Sequence, residues 1–302
     1  MRRLCAVLAL LLNLGFAVPY CGWCSWAVAQ GPFIQSAERL EREKNFAAAA
    51  RAYGEAIKIV GRDKQVDKAK LGQLYFKRGY CYQRSGASEE AVLDLERSVS
   101  LGHRGKHLER YLGEAYLNTS QFDKAIEVIN EGIKKSTGKD RKRLYTFYAL
   151  RAGAYKGKGD DEQQLADLTR AVECCDKPAR LLKERAIYFE WHKQWQKAIA
   201  DFDAIEAIEP LTASGLNSRA RCKMELKRYA EAVQDYSRSI ALEPKKAGLY
   251  VARAKAYRLC GKPDLADADL KVVQSLGEDF DLEIGKRHRK RSEGKTPADS
   301  KN

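Results

Sequence analysis

Small and bulky apolar residues recur with fixed spacing in seven windows of 34 residues along the chain. The windows are 30–63, 72–105, 106–139, 145–178, 179–212, 213–246 and 247–280. Each has a Gly or Ala in its first half, at Ala37, Gly79, Gly113, Ala152, Ala186, Ala220 and Ala254. Sixteen residues later each has a bulky residue, at Tyr53, Leu95, Ile129, Leu168, Phe202, Tyr236 and Leu270. Between these two, a second small position holds Ala everywhere except at Gln164. Small positions let two helices approach closely and the bulky residue fills their seam, so the pattern predicts one helix pair in each window.

A further position, three residues after the first small one, is mostly aromatic. It holds Tyr82, Tyr116, Tyr155, Phe189 and Tyr257, with Leu40 and Lys223 as exceptions. Pro210 and Pro244 close two windows, where a proline can end a helix without disrupting its interior. Together these positions resemble the tetratricopeptide repeat, a helix–turn–helix unit of 34 residues. The resemblance implies an all-α, right-handed α-solenoid over residues 30–280. Its turns are expected near Asn45, Gly86, Ser120, Gly159, Gln194, Arg228 and Lys262.

Two polar positions vary together across the windows. Five windows have an arginine just before the first small residue: Arg78, Arg151, Arg185, Arg219 and Arg253. The same five have an aspartate sixteen residues later: Asp94, Asp167, Asp201, Asp235 and Asp269. The other two windows lack both members, which indicates a contact between the two positions. Because both neighbours of window 72–105 lack the pair, Arg78 can reach only its own window's Asp94. We therefore expect structural salt bridges between the two helices of a repeat, the alternative being a row of ligand-binding arginines.

The N-terminus has the features of an export signal. Arg2 and Arg3 precede an apolar run, and Ala27-Val28-Ala29 has the small-x-small form of a cleavage site. Residues 1–29 are therefore predicted to be a signal peptide, and the mature chain is predicted to begin at Gln30. The alternative is an uncleaved anchor, because residues 4–29 contain no charge and are long enough to span a bilayer. Either interpretation places the repeats outside the cytoplasm, in the periplasm, the cell envelope or the extracellular space.

The residues of common catalytic and metal sites are scarce. His103 and His107 are spaced for one helix face, but no nearby Cys or Glu completes a zinc set. We find no phosphate-binding loop, nucleophile elbow or distinguishable carboxylate pair. The five cysteines beyond the leader lie in helical windows, and most of them fit buried apolar positions better than a disulfide framework. The sequence thus predicts a protein without catalytic residues, metal, cofactor or small-molecule substrate.

The formal charge of +14 points to acidic partners. Residues 281–302 lack apolar periodicity and are predicted to be a disordered basic tail, whose run at 285–291 fits an anionic membrane or an envelope polymer. In the tetratricopeptide family, the first helix of each repeat lines a groove that binds peptides or partner helices. The resemblance assigns the groove to Phe76, Tyr80, Arg84, Arg110, Lys156, Arg180, Lys183, Trp191, Arg221, Lys255 and Arg258.

These residues favour a scaffold that binds an acidic peptide or helix of another protein. The alternative is a basic solenoid that binds a polyanion such as nucleic acid, anionic lipid or an envelope polymer. Nucleic acid is the weaker candidate, because Glu38, Glu41, Glu114, Glu190 and Glu225 interrupt the predicted groove.

Overall fold

The described part of the chain, in a computed structural model, comprises residues 22–62, 67–136 and 140–276, with side chains from residue 31 onward. It consists of fourteen helices and contains no strand. The helices are α1 (Gly22–Arg42), α2 (Phe46–Val60), α3 (Lys68–Ser85), α4 (Ser88–Ser100), α5 (Leu108–Asn118), α6 (Phe122–Lys134), α7 (Arg141–Lys158), α8 (Asp161–Cys174), α9 (Ala179–Trp191), α10 (Trp195–Glu206), α11 (Ala213–Glu225), α12 (Tyr229–Leu242), α13 (Ala247–Leu259) and α14 (Pro263–Ser275). The predicted all-α class is confirmed.

Each window contains two helices joined by a turn at its predicted place. Every turn has one residue with left-handed backbone geometry, at Lys44, Gly86, Ser120, Gly159, Lys193, Lys227 and Gly261. Only three of these are glycines, and a non-glycine residue in this conformation carries a modest energetic cost. The packing of the two helices therefore outweighs the conformational preference of the turn residue. The first window lacked a turn glycine in the sequence, and Lys44 fills that role with φ of 59°.

Three window boundaries differ from the helix boundaries. Helices α3 and α7 begin at Lys68 and Arg141, so part of each segment placed between windows is helical. The Asp67 carboxylate starts α3 early by accepting hydrogen bonds from the backbone N–H groups of Ala69 at 2.9 Å and Lys70 at 3.2 Å. The expected cleavage junction before Gln30 falls inside α1 rather than at a helix end. The apolar run from residue 4 to residue 18 and the tail 281–302 lie outside the described residues.

The predicted seams form the core of each repeat. All seven residues of the first small column are buried, and so are the bulky residues from Tyr53 to Tyr236, while Leu270 is half-buried. A Cβ atom at Gly79 would lie 3.0 Å from Leu95 Cγ, and one at Gly113 would lie 2.8 Å from Ile129 Cγ1. Both contacts are shorter than ordinary van der Waals packing, so an alanine at either position would require the facing side chain to shift.

The helices fall into two compact units, which meet in sequence between Cys174 and Cys175. The first unit contains α1 to α8, and the second contains α9 to α14. Within each unit, every helix packs on its partner in the repeat and on the helix that follows it in sequence. Across the described ranges, no helix combines the length and apolar composition required to cross a membrane.

Candidate functional site

The five Arg–Asp pairs connect the two helices of their own repeats. In each pair the arginine Nε and Nη2 donate to the two carboxylate oxygens of the aspartate, at distances between 2.6 and 2.9 Å. All five aspartates are buried. Bonding to the aspartate is the main reason why the pKa values of Arg78, Arg151 and Arg253 are raised. These two nitrogens of each arginine are therefore occupied by the bond to the aspartate of the same repeat.

Most of these arginines also stack on aromatic rings of their own helix. The Arg78 guanidinium lies 5.4 Å from the centre of the Tyr75 ring and 5.7 Å from that of Tyr82. The same arrangement recurs at Arg151 and Arg253, each between two tyrosines. The aromatic column of the sequence thus covers the arginine through cation–π contacts as well as filling the core.

In the sixth repeat, charged residues rather than aromatic rings surround the arginine. Lys223 stands in the aromatic column, is buried, and donates to Asp235 Oδ2 at 2.6 Å. Arg219 makes two further bonds through Nη1, to Asp203 at 2.7 Å and to Glu206 at 2.6 Å. Sequence reasoning missed this network. The available signal was Lys223 itself, because a lysine in a column of rings requires a buried acid nearby.

In the first unit, predicted groove residues gather around an aromatic cluster. Phe76 and Tyr80 of α3 pack on Tyr111 of α5, with ring centres 5.9 and 4.9 Å apart. His103 packs on Phe76 at 5.0 Å. Burial lowers the pKa of His103, so this ring is neutral near pH 7 and acts as another apolar surface. Phe76, Tyr80 and Tyr111, all partly exposed, are called the aromatic patch below. Tyr111 was not predicted, because it lies one position beyond the expected lining residue Arg110.

Two arginines border the aromatic patch. Arg110 holds its guanidinium 4.1 Å from the centre of the Tyr111 ring. Arg84 lies 5.3 Å over Phe46, whose ring meets Tyr80 edge-on at 6.0 Å. Within the described part of the chain, neither arginine has a carboxylate within ion-pairing distance. Lys156, the remaining predicted lining residue of this unit, is exposed on α7. The patch therefore combines apolar rings with two cations that no carboxylate of the described chain neutralises.

The predicted groove residues of the second unit are in a different electrostatic environment. Arg180 lies 3.6 Å from Glu184, Arg221 lies 3.1 Å from Glu190, and Arg258 lies 3.2 Å from Asp267. Lys183 and Trp191 are exposed, Trp191 to 84%.

A cleft of about 270 Å³ in this unit is lined by charges of both signs. Arg221 and Lys255 line it together with Glu190 and Glu225, so these four residues have no net formal charge. Basic side chains predicted to attract a partner are here largely paired within the chain. The continuous groove implied by the family resemblance would need residues of both units, and it stays a prediction.

The cysteines and histidines of the described residues show no reactive arrangement. The five cysteines between Cys81 and Cys260 are free. Burial raises the pKa of the Cys81 and Cys222 thiols to about 12, which keeps both protonated near neutral pH. No group of three potential metal ligands occurs within the described ranges. The candidate functional surfaces are therefore the aromatic patch and the mixed-charge cleft.

Comparison with known proteins identifies the repeat. A family model of the tetratricopeptide repeat matches residues 72–101 and 213–246. A solved tetratricopeptide-repeat structure from Cytophaga hutchinsonii covers 83% of this chain and 98% of its own, with a TM-score of 0.68 and 17% identity. The chain contains tetratricopeptide repeats. A second such structure, from Parabacteroides merdae, covers 84% of this chain and 95% of its own, with a TM-score of 0.55 and 18% identity. These likenesses confirm the tetratricopeptide-type α-solenoid fold.

Sequence relatives of this tetratricopeptide-repeat protein are more similar in sequence but cover less of the chain. The 58 kDa phosphoprotein of Plasmodium berghei is 31% identical over 101 residues, which are 33% of this chain and 24% of that protein. The human mitochondrial import receptor subunit TOM34 is 23% identical over 239 residues, covering 68% of this chain and 77% of that protein. The chain thus spans about a quarter of the length of the first relative and about three quarters of the second.

Proposed function

We propose that this tetratricopeptide-repeat protein is an interaction scaffold whose first unit binds a partner protein through the aromatic patch. Proteins of this family generally act as non-enzymatic scaffolds. Two similar proteins have names that refer to other proteins: a mitochondrial import receptor subunit, and the Hsp70-Hsp90 organizing protein 1 of Glycine max. The latter is 26% identical over 100 residues, 33% of this chain and 16% of that protein.

The observation that carries the proposal is the placement of Arg84 and Arg110 beside exposed rings without carboxylate partners. Aromatic residues and arginine are the side chains that most often dominate the binding energy of interfaces. A partner's acidic side chain can pair with either guanidinium without displacing an internal ion pair. Its apolar neighbours can cover the rings of Tyr80 and Tyr111. The proposed partner segment is therefore acidic and amphipathic, either extended or helical.

Peptide binding by the full-length protein tests this proposal. The probe is a fluorescently labelled amphipathic helical peptide with glutamates beside leucines, and its affinity is measured by fluorescence anisotropy. Replacing Tyr80 with alanine removes the central ring of the aromatic patch and should weaken binding about tenfold, which corresponds to about 1.4 kcal/mol. The matched control is Tyr250→Ala. That tyrosine lies in the second unit and covers Arg253, so its loss should leave affinity unchanged within about twofold.

A polyanion is the alternative partner, because rings and arginines also bind nucleic acid by stacking and charge. A labelled single-stranded oligothymidylate tested under the same conditions distinguishes the two. We expect the acidic peptide to bind more tightly at physiological salt. Tighter binding of the oligonucleotide, with the same loss in Tyr80→Ala, would assign the aromatic patch to nucleic acid instead.

We also propose that the protein is exported and that its repeats act outside the cytoplasm. Support comes from the charged, apolar and small-residue segments of residues 1–29, most of which lie outside the described part of the chain. Cleavage before Gln30 would leave thirteen residues of α1, from residue 30 to Arg42, to pair with α2. N-terminal sequencing of protein from the native host should find Gln30. Met1 retained on a membrane-bound form would favour the anchor, and a soluble cytoplasmic form would contradict export.

A further inference from the structure

The first repeat differs from the other repeats where it packs on α3, the first helix of the second repeat. The contact is on the face of α3 opposite the aromatic patch. Phe76, Tyr80 and Arg84 follow one another every four residues along one side of this helix. Arg78 and Tyr82 are offset from them by about half a helical turn. On this opposite face, α1, α2 and α3 enclose a cleft of about 590 Å³. Phe33 and Tyr82 contribute aromatic walls, Arg51, Lys58 and Arg78 contribute cations, and Glu55 contributes one carboxylate.

The cleft exists because the first repeat lacks the Arg–Asp pair. Ser36 and Ala52 occupy the two positions that hold arginine and aspartate in five other repeats, and both line the cleft. Two large charged side chains are thus replaced by two small ones. The space that the pair would fill is left open beside the next repeat's arginine, Arg78.

A third substitution leaves a hydrogen-bond donor of Arg78 without an acceptor. In other repeats the arginine Nη1 reaches an oxygen on the preceding repeat, one residue after the bulky column. Arg151 Nη1 reaches Asn130 Oδ1 at 2.5 Å, Arg219 Nη1 reaches Asp203 at 2.7 Å, and Arg253 Nη1 reaches Ser237 Oγ at 3.0 Å. The corresponding residue for Arg78 is Gly54, which has no side chain. A Cβ atom there would lie 3.4 Å from Arg78 Nη1, and no described residue accepts a hydrogen bond from this nitrogen.

The other charges of the cleft also favour an anion. Arg51 has no ion pair among the described residues, and Lys58 donates to Glu55, the one carboxylate among the lining residues, at 2.7 Å. Arg78 is balanced by Asp94 through its other nitrogens. The cleft thus offers one unpaired guanidinium and one unpaired Nη1, next to the apolar walls formed by Phe33 and Tyr82.

We infer that this cleft binds a carboxylate attached to an apolar group, whose oxygen takes the position that Asp203 or Asn130 occupies in the other repeats. A guanidinium N–H bonded to a carboxylate oxygen is a charge-assisted hydrogen bond, stronger than one to a neutral acceptor. The cleft volume lies within the range of small-ligand sites. The carboxylate can belong to an acidic side chain of a peptide or to a small organic acid.

Substitution of Gly54 tests the inference, because this residue lies within α2 and a Cβ atom added there would be in ordinary van der Waals contact with Arg78 Nη1. Gly54→Asp supplies an internal carboxylate to Arg78, as Asp203 does for Arg219. Gly54→Ala is the matched control, because it adds the same Cβ atom without an acceptor. The probes are glutarate and the blocked tripeptide acetyl-Ala-Glu-Phe-amide, and binding to the full-length protein is followed by NMR of the backbone amides of residues 48–58.

We expect the wild type and Gly54→Ala to bind within about threefold of each other, and Gly54→Asp to bind at least about tenfold more weakly. Gly54→Asp should also melt at a higher temperature than Gly54→Ala. A tripeptide that binds about tenfold more tightly than glutarate indicates a peptide ligand, and equal affinity indicates a small acid. Unchanged binding in Gly54→Asp, no wild-type binding up to about 10 mM, or tighter binding of inorganic phosphate would overturn the inference.

Two further variants keep the outcome interpretable. Arg51→Ala removes an exposed cation of the cleft. It should weaken binding of the carboxylate probe at least about threefold without changing the helical circular dichroism spectrum. If Gly54→Asp fails to fold, the affinity of Arg51→Ala for the carboxylate probe tests the inference instead. Tyr80→Ala, on the opposite face of α3, should leave carboxylate binding unchanged. Failure of the proposed scaffold function and failure of this site are therefore separable.

Discussion

The two units place basic side chains in opposite electrostatic situations. In the first unit, Arg84 and Arg110 lie over aromatic rings and have no carboxylate partner within the described ranges. In the second, Arg221 and Arg258 each lie close to a carboxylate of the same unit. The sequence alone assigns all four the same formal charge. What differs is the charge left for a partner, which depends on the carboxylates that neighbouring helices provide.

A related contrast separates the sixth repeat from the repeats whose arginine lies between two tyrosines. Arg78 in the first unit is covered by Tyr75 and Tyr82, and its side chain is 21% exposed. Arg219 in the second unit is 5% exposed and is surrounded by Asp203, Glu206 and Asp235. Both arginines are paired with the aspartate of their own repeat. Beyond that pair, rings cover Arg78 without adding charge, whereas the two further carboxylates around Arg219 must themselves be kept paired.

The largest expected effect comes from breaking the network in the second unit. Asp235→Ala removes the only carboxylate bonded to the buried Lys223 in the described residues, together with two bonds to Arg219. Loss of one partner from a buried ion pair costs about 3–5 kcal/mol. We expect Asp235→Ala to lower the free energy of unfolding, measured with urea, by about this amount.

The matched variant in the first unit is Asp94→Ala. Its arginine is more exposed and stays covered by two tyrosines, so we expect a smaller loss. Adding Lys223→Tyr to Asp235→Ala restores the aromatic residue of the column and should recover part of the stability. A larger loss in Asp94→Ala than in Asp235→Ala would contradict the contrast between rings and carboxylates.

A smaller effect is expected from releasing a paired arginine. Glu190→Gln removes the charge of the carboxylate that lies 3.1 Å from Arg221 and gives the cleft of the second unit an excess of positive charge. The acidic peptide should then bind about threefold more tightly to this unit, because Arg221 becomes available. The control is Glu184→Gln, which changes the same charge near Arg180 but outside the cleft residues. Equal gains in both variants would indicate only a change in net charge.

The smallest effect is a difference between the units in how stability depends on pH. Burial lowers the pKa of His103 in the first unit below its usual value of 6.5. The unfolded chain then binds the proton more readily, so stability falls as the pH drops through about 6.5. In the second unit, the bond from Arg238 lowers the pKa of Glu206 below its usual 4.5, so that contribution is lost only below pH 4.5.

Hydrogen exchange resolved by residue measures the pH dependence of stability in both units in one sample. Between about pH 7.5 and about pH 5.5, amides of α3 to α5 should lose protection once intrinsic exchange rates are corrected, while amides of α10 to α12 should keep theirs. His103→Phe keeps a ring against Phe76 and should reduce the loss, and the remainder should come from His107, whose pKa burial also lowers. Equal loss in both units, or no effect of His103→Phe, would show that His103 does not set the pH response.

The helix pairs could be predicted because their determinants are local. The small and bulky columns repeat within each window, and residues such as Gly79 and Leu95 face each other in the same helix pair. The Arg–Asp contact could also be predicted, because the two columns vary together and Arg78 had only Asp94 within reach. Such patterns specify contacts inside one repeat.

Contacts between repeats were harder to predict. Whether Arg221 is paired depends on Glu190 of the preceding repeat. Even inside the sixth repeat, the burial of Lys223 depends on its bond to Asp235, and residue spacing fixes neither arrangement. Tyr111 was not predicted, because the groove-lining positions of the family were carried over by their place in the repeat, which selects Arg110. The ring that packs on Phe76 and Tyr80 belongs to the next residue, Tyr111. The early start of α3 at Lys68 depends on a cap from Asp67 that the repeat pattern does not contain.

In the proposed function, the unpaired arginines of the first unit attract the partner. Two double charge reversals in the full-length protein test it directly: Arg84→Glu with Arg110→Glu, and Arg221→Glu with Arg258→Glu. Both change the net charge equally, so anisotropy with the acidic helical peptide compares position alone. We predict that the first pair weakens binding at least about tenfold more than the second, with the difference shrinking as salt rises to physiological strength and screening shortens to about 8 Å. An equal loss, or a larger loss from Arg221 and Arg258, would contradict the claim.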